Sequence, residues 1–574
     1  MLLSNMELLA TAPGGVAKLR ELILTLAVQG KLVPQDPADE PAGVLLQKIR
    51  AEKDRLIAEG KIKRDKPLAE IGEEEKPFEL PQGWEWVPLG EVVEIIRGIT
   101  FPASEKTKEK APGRIACLRT ANVQEQIEWD DLLFIGESFV GREDQRLQIH
   151  DIVMSMANSR ELVGKVALVE HIPHEAATFG GFLGVLRPWF LEPRFVMALL
   201  RTPYARASLI DSASQTTNIA NVSLGKLRPL AFPLPPLAEQ SRIVTRVEAL
   251  MRLCDALEAK GQLEAAQHAQ LVSTLLGTLT ASTTPEELAA HWQRVAQHFD
   301  LLLDRPEAID ALEQTLLQLA VRGLLVPQDP ADEPASALLQ RIRAEKDHLI
   351  ATGEIKRDKP LPPITDEEKP FELPVGWEWV RINDLAEVQG GIQKTQLRTP
   401  VKQHFPYLRV ANVQRDALRL EEIERFELTM EELERWRLVA GDLLIVEGNG
   451  SAEEIGRCAV WTGAIDPCVY QNHLIRVRCF QQECMAFIKL FLNAPSGAEE
   501  MKRLAITTSG LYNLSVGKIR NYAVPMPPLA EQSRIVTRVT ALRRLCADLR
   551  QRLAERQSVQ ARLAEALVGQ AGST

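Results

Sequence analysis

Apolar residues recur at helical spacing in two long stretches, and both stretches open with the same thirteen residues. Pro235–Val247 and Pro527–Val539 each read PPLAEQSRIVTRV. Beyond the prolines, Ile243, Val247, Leu250, Cys254 and Leu257 follow a 4-3-4-3 spacing. Ile535, Val539, Leu542, Cys546, Leu549 and Leu553 repeat and extend it. That spacing is a coiled-coil seam. A proline pair cannot continue a strand and favours a fresh helix start. The pattern predicts two long helices whose seams pack on each other. A helix of about 40 residues is about 60 Å long.

Other stretches carry shorter patterns. Residues 16–30 place Leu19, Leu22, Ile23 and Leu26 on one helical face and end at Gly30, a C-cap. Residues 42–59 do the same with Leu45, Leu46, Ile49, Leu56 and Ile57. Much of this region recurs. Val33–Ala42 and Val326–Ala335 both read VPQDPADEPA, and Gly83–Val87 and Gly376–Val380 both read GWEWV. The repeat is far too long for a solenoid and marks a tandem duplication. Between the repeated flanks lie short β-type runs at Val92–Ile96, Ile152–Ser155, Val163–Val169 and Phe182–Leu186. Their counterparts are Leu385–Val388, Leu443–Val446, Gly456–Trp461 and Leu474–Val477. Helices are expected at 193–209, 285–325 and 483–503. The fold class is therefore α+β, with a mixed, mainly antiparallel sheet in each half. The expected boundaries are a helical segment and linker at 1–80, a globular domain at 81–235, a central helical region at 236–373, a second domain at 374–527 and a final helix at 528–574.

Composition narrows the function. With 574 residues and a net charge of −10, the chain is acidic overall, which argues against a uniformly basic nucleic-acid surface. The two globular stretches are close to neutral, so much of the acid lies outside them. The seven cysteines are scattered and read as reduced, mostly buried thiols. No apolar run is long enough to span a membrane, and no signal-peptide pattern opens the chain, so a cytoplasmic location is expected. Catalytic motifs are missing. There is no P-loop, no HExxH and no Asn/Asp-Pro-Pro-aromatic methyltransferase motif. Cys468, His473, Cys479 and Cys484 do not have zinc spacing. Asp54 with Glu59 and Lys61 reads as a solvated helix face rather than a nuclease pattern.

The flanks are nearly identical while the domains between them have diverged. Phe179-Gly-Gly-Phe-Leu stands where the second copy has Tyr470-Gln-Asn-His-Leu. Identical flanks suit identical partners, and different domains suit different targets. The paired PPLAEQ helices, the paired LPxGWEWV entrances (Leu80–Val87, Leu373–Val380) and the paired AVxGxLVPQDPADEPA segments resemble the specificity subunit of bacterial type I restriction-modification systems. The resemblance covers essentially the whole chain. It implies two target-recognition domains, each reading half of a bipartite double-stranded DNA site. It implies two conserved helical regions packed antiparallel as a spacer, with pseudo-twofold symmetry. It also implies docking of two methyltransferase subunits and of restriction-translocase subunits, with no membrane association. On that resemblance this chain is non-catalytic and binds no cofactor; S-adenosylmethionine, ATP and magnesium belong to the partner subunits.

Base reading needs Arg, Lys, Asn, Gln, Ser or Thr on loops that reach a groove. Candidates in the first domain are Arg97, Thr100, Lys106, Lys108, Lys110, Asn122, Asn158, Ser159, Arg160, Thr216, Thr217 and Asn218. In the second they are Gln393, Lys394, Arg398, Asn412, Asn449, Ser451, Asn472, His473, Thr507, Thr508, Ser509 and Tyr512. Each alone also reads as a turn or surface residue. The matched Asn122 and Asn412 equally suit a structural role, and so does His473. Trp84, Trp86, Trp377 and Trp379 read as packing anchors. Arg242, Arg246, Arg534 and Arg538 suit either a partner or a solvated face. Two other readings remain open: a protein-interaction scaffold that no longer reads DNA, and an enzyme with an unrecognised site.

Overall fold

The computed structural model describes residues 6–64, 66–159, 162–210, 214–216, 219–448, 454–505 and 513–573. The chain divides into two compact units, Met1–Glu264 with Arg556–Thr574, and Ala265–Glu555. Each unit holds short helices, one globular domain, the start of one long helix and the end of the other.

In the first unit, helices Gly15–Val28 and Ala42–Ala58 lead to the strand Glu85–Pro88. That strand pairs antiparallel with Ala231–Leu234, so the domain's entrance and exit are zipped together just before the long helix Leu237–Ala281. Inside the domain, a four-stranded antiparallel sheet runs in the order Val93–Arg97, Leu183–Pro188, Ile152–Ser155, Val166–Leu168. A three-stranded sheet, Leu133–Gly136, Arg114–Leu118 and Ala177–Phe179, includes one parallel pair. Helices Pro193–Leu200 and Pro203–Ile210 replace the single helix expected at 193–209. The break falls before Pro203, because proline supplies no N–H to a continuing helix and restricts the residue ahead of it.

The second unit repeats this plan. Glu378–Arg381 pairs with Ala523–Met526 ahead of the long helix Leu529–Ser573. The larger sheet runs Ala386–Gly390, Leu474–Cys479, Leu443–Val446, Cys458–Val460. The smaller one runs Glu424–Glu427, His404–Leu408, Val469–Tyr470. The expected helix at 483–503 is split into Met485–Asn493 and Pro495–Ala505, again at a proline.

The repeated motifs are two sides of one joint. Trp84 Nε1 donates to Glu239 Oε2 at 2.9 Å, and Gln35 Nε2 donates to Glu239 Oε1 at 3.0 Å. Arg242 forms a two-pronged pair with Asp39, at 2.6 and 3.1 Å. The second unit builds the same joint from Trp377 and Glu531 at 2.9 Å, Gln328 and Glu531 at 3.1 Å, and Arg534 and Asp332 at 2.6 and 3.1 Å. Thus VPQDPADEPA and GWEWV are clamped onto PPLAEQSR. Trp84 and Trp377 are packing anchors, set edge-on to Phe195 and Phe487. Trp86 and Trp379 pack against Phe78 and Phe371. Arg242 and Arg534 are used within the fold, whereas Arg246 and Arg538 are exposed.

The seams of the long helices serve two purposes, which corrects the expectation of helix-on-helix packing throughout. Ile243 and Val247 pack into the core that contains Trp84, Phe195 and Phe232. Ile535 and Val539 pack into the core that contains Trp377, Phe487 and Phe491. These first turns are held by the domain each helix follows. Leu250 and Leu257 are half-buried. Further along, Leu542, Cys546, Leu549 and Leu553 share a cluster with Val272, Leu276 and Leu279 of the other long helix and with Ile309, Leu312 and Leu316. In the first unit, Ala564 and Val568 meet Leu9, Ala12 and Leu19.

Ion pairs tie each domain to its long helix: in the first unit Arg194 pairs with Glu248 of the helix and, at 2.8 Å, with Glu170. Asp416 receives Lys489 at 2.6 Å and also pairs with Arg543, which reaches Glu313 at 3.1 Å. The second domain is thereby tied to its long helix by charge. In the first unit, Met197 and Met251 line a groove of about 290 Å³ together with Leu24, Val244 and Val247.

All seven cysteines are buried and free. Cys468 lies in a different core from Cys479 and Cys484, while His473 is exposed, so these four do not gather. Among the described residues no helix is long and apolar enough to cross a membrane.

Candidate nucleic-acid interface

Antiparallel pairing brings three chain segments to one end of the larger sheet in each domain. In the first these are the C-terminal end of Val93–Arg97, the start of Leu183–Pro188 and the C-terminal end of Ile152–Ser155. The turn Gly180–Phe182 connects the two sheets at this end. Gly98 N donates to Leu183 O at 3.1 Å, Ile99 N to Phe179 O at 2.9 Å and Gly180 N to Leu118 O at 3.0 Å. Met156 N donates to Phe182 O at 2.9 Å, and Val222 N to Met156 O at 2.9 Å. Beside it, Ser214–Thr216, Ile219–Asn221 and Ala157–Asn158 form a small antiparallel sheet.

The second domain repeats these five backbone bonds. Gly391 N donates to Leu474 O at 3.2 Å, Ile392 N to Tyr470 O at 2.9 Å and Gln471 N to Leu408 O at 3.1 Å. Glu447 N donates to His473 O at 2.9 Å, and Leu514 N to Glu447 O at 2.7 Å. Burial holds the Glu447 carboxyl above the ordinary carboxylate range, and the nearby His473 opposes the shift. Each sheet is buttressed alike: Arg187 grips Asp151 at 2.7 and 2.8 Å, and Arg478 grips Asp442 at 2.6 Å. Both aspartates are buried, so these are charge-assisted struts inside the domains.

Several expected contact residues do gather here. Arg97 and Thr100 are exposed at the end of the first strand, and Thr100 lies beside Gly181. Asn158 is half-buried next to exposed Ser159, whose N–H its side chain accepts at 2.9 Å. Thr216 closes the neighbouring strand Ser214–Thr216. In the second domain Gln393, Asn472 and His473 occupy the equivalent end. Lys106, Lys108 and Lys110 are exposed on the segment that runs beside Leu133–Gly136. There Lys108 pairs with Asp131 at 2.8 Å, and Lys106 sits 6.0 Å above the Phe101 ring. Lys394 pairs with Glu424 at 3.0 Å. Arg160, Thr217, Asn218, Asn449, Ser451, Thr507, Thr508, Ser509 and Tyr512 lie outside the described residues.

Three expected contacts are structural instead. Asn122 is buried; its Oδ1 accepts from Arg119 N at 2.8 Å and its Nδ2 donates to Glu128 O and Asp131 O. Asn412 makes the same clamp with Arg409 N, Arg419 O and Glu422 O. Both amide hydrogens and one carbonyl lone pair are used inside the loop, and each side chain is buried there. Arg398 is bound two-pronged to Glu432, at 2.7 and 2.8 Å, and that glutamate also caps the helix Met430–Trp436.

The Arg398 pair sets a pH dependence. The Arg398 hydrogen bonds, then the Thr429 N–H and the arginine charge, lower the Glu432 pKa from 4.5 to about 2. A depressed carboxylate pKa stabilises the fold fully above its unfolded value and loses that contribution as pH falls through the folded value. Thermal unfolding of the chain should therefore show stability lost between about pH 4.5 and about 2, and Glu432→Gln should flatten part of that loss. Only part is expected, because Glu368 is lowered to about 2 chiefly by its Arg381 hydrogen bonds and titrates in the same window. An unchanged pH profile in the Glu432→Gln protein would show that the pair contributes nothing.

Phe182, Met156, Glu447 and Gln471 also belong to this end, and sequence reasoning passed over them. The signal was present, since Phe182 stands opposite His473 in the two divergent segments. Selecting only polar residues removed it.

Comparison with other proteins identifies the family. The family described as type I restriction modification DNA specificity domain matches twice, over residues 81–267 and 374–556. The chain is 36% identical over 568 residues to the type I restriction enzyme EcoEI specificity subunit of Escherichia coli, covering 96% of this chain and 93% of the relative. It is also 36% identical over 567 residues to the EcoAI specificity subunit of Escherichia coli, with the same coverage. The solved HsdS subunit from Thermoanaerobacter tengcongensis aligns with 86% of this chain and 98% of its own, at 18% identity and a TM-score of 0.35. With two copies of the family domain and relatives matched across nearly their whole length, this chain belongs to the family of type I restriction-modification specificity subunits.

Proposed function

We propose that this chain is the DNA sequence-recognition subunit of a type I restriction-modification complex. The domains at 81–235 and 374–527 each read one half of a bipartite double-stranded site. The observation that carries this reading is the identical backbone frame at one end of both domains, which presents different side chains in each. A shared frame with divergent tips suits two targets of one kind, and the repeated Trp–Glu joints attach both domains to their long helices in the same way. The helical regions set the spacing and dock two methyltransferase subunits, and restriction-translocase subunits join for cleavage. The chain itself is non-catalytic. Adenine methylation and cleavage, with the S-adenosylmethionine, ATP and magnesium they need, take place on the partner subunits in the cytoplasm.

The test is to co-express the chain with its methyltransferase in an unmethylated host and map the modified bases. The expected result is two short half-sites around a fixed non-specific gap. Exchanging residues 81–235 for those of another family member should change one half-site and leave the other intact. A continuous motif, or an exchange that alters neither half, would overturn the reading.

A further inference from the structure

We propose that the turn Gly180–Phe182 and its counterpart Gln471–His473 are the base-reading elements of the two domains, and that Phe182 sets specificity in the first by packing on a thymine methyl group. This rests on the reading of both domains as DNA-binding.

Three observations carry it. The first is rigidity. Five backbone hydrogen bonds around each turn agree between the domains to within 0.2 Å, and a sixth, from Leu183 N to Gly180 O and from Leu474 N to Gln471 O, closes the turn at 2.8 and 2.9 Å. The backbone is therefore held in one shape whatever the side chains are.

The second is exposure. Phe182 is 68% exposed, the most exposed phenylalanine among the described residues, and its carbonyl is fixed by Met156 N and Ala157 N at 2.9 and 3.3 Å. A large apolar side chain held out into solvent on a fixed backbone offers apolar area that a ligand gains by covering. His473, at the same position of the other frame, is also exposed.

The third is complete divergence at the tip over a shared close approach of backbone. Glycine at 98 and 391 is common to both frames. At either position an added Cβ would meet a backbone carbonyl oxygen at 2.1 or 2.2 Å. The presented residues differ at all three positions: Gly-Gly-Phe in one domain, Gln-Asn-His in the other. The flanking residue differs in the same sense, Met156 in the first and Glu447 in the second.

The chemistry separates the two turns. Phe182 between glycines and methionine has no side-chain donor or acceptor to offer, so its discrimination is apolar, and the thymine methyl is the apolar group in the major groove. Gln471, Asn472 and His473 carry amide and imidazole groups that match purine edges.

The experiment uses the full chain with its methyltransferase and duplexes carrying the mapped site. Each thymine of the first half-site is replaced in turn by deoxyuridine, which removes only the methyl group. One replacement is expected to slow wild-type methylation several-fold, on the order of a single lost base contact. The same replacement should leave Phe182→His unaffected, and Phe182→His should shift base preference within the first half-site alone, by about ten-fold. Its melting temperature should match wild type, since the side chain is exposed. Phe182→Leu, which retains an apolar side chain, should keep the thymine preference. If no deoxyuridine replacement matters, or if Phe182→His folds and methylates the wild-type site with unchanged preference, the proposal is overturned. The domain exchange separates this from failure of the underlying reading. An exchange that moves the half-site while Phe182→His does not would remove the turn and keep the domain.

Discussion

Replacing Trp377 by alanine is expected to destabilise the second unit by about 3–5 kcal/mol, the range for removing a buried tryptophan. The residue is 6% exposed and sits edge-on to Phe487, 5.7 Å between ring centroids, within a core that also holds Phe491, Tyr522 and Ile535. The lost ring leaves a cavity where the domain, its entrance strand and the long helix meet. It also removes the Nε1 donor from Glu531, a carboxylate 1% exposed that also accepts from Gln328 Nε2 at 3.1 Å. Trp377→Phe separates the two contributions. It keeps most of the volume and loses the hydrogen bond, for an expected cost of about 1–3 kcal/mol. Trp84→Ala and Trp84→Phe should behave the same way in the first unit, where Trp84 is also 6% exposed and bonded to Glu239. Urea unfolding with hydrogen exchange resolved by segment measures both cost and location. A loss below about 1 kcal/mol for Trp377→Ala would mean that the joint is dispensable.

The joint also shows what the sequence could and could not reveal. The repeat of VPQDPADEPA, GWEWV and PPLAEQSR was plain, and it gave the duplication, the α+β class and the placement of the major strands. It did not reveal that the three motifs touch. That Gln35 and Asp39 bind Glu239 and Arg242 depends on contacts across some 200 residues, which helical or strand period does not encode. The same limit applies to the seams. Spacing identified Ile243 and Ile535 as buried but not what buries them, because a domain core and a second helix impose the same apolar stripe. Among the site residues, Asn122, Asn412 and Arg398 were chosen for their chemistry. They are spent on a loop clamp and a helix cap, because side-chain type alone does not distinguish a satisfied donor from a free one. Phe182 was missed for the converse reason. An apolar residue reads as core until the fold shows it held outward.

Gly391→Ala is expected to abolish reading of the second half-site while leaving the first intact, at a stability cost of about 2–4 kcal/mol. A Cβ at residue 391 would lie 2.2 Å from Gln471 O, 2.5 Å from Gln471 C and 2.6 Å from Tyr470 O. All three are backbone atoms, so no side chain can rotate to make room. They are also pinned: Ile392 N donates to Tyr470 O at 2.9 Å, Asn472 N to Ile392 O at 2.8 Å and Gly391 N to Leu474 O at 3.2 Å. The methyl group can enter only if the strand end separates from the turn, breaking these bonds and displacing His473. The adjacent glycine is the control. A Cβ at Gly390 would meet Val516 Cγ2 at 3.5 Å, an ordinary contact, so Gly390→Ala should be tolerated. In the first domain, Gly98→Ala meets Gly180 O at 2.1 Å and should produce the mirror-image defect, with the first half-site lost and the second kept. Melting curves and half-site methylation of the three variants decide the matter. If Gly391→Ala and Gly390→Ala were indistinguishable in both measurements, the close approach of strand end and turn would have no bearing on recognition. Loss of both half-sites in Gly391→Ala at an unchanged melting temperature would mean that the two domains do not read independently.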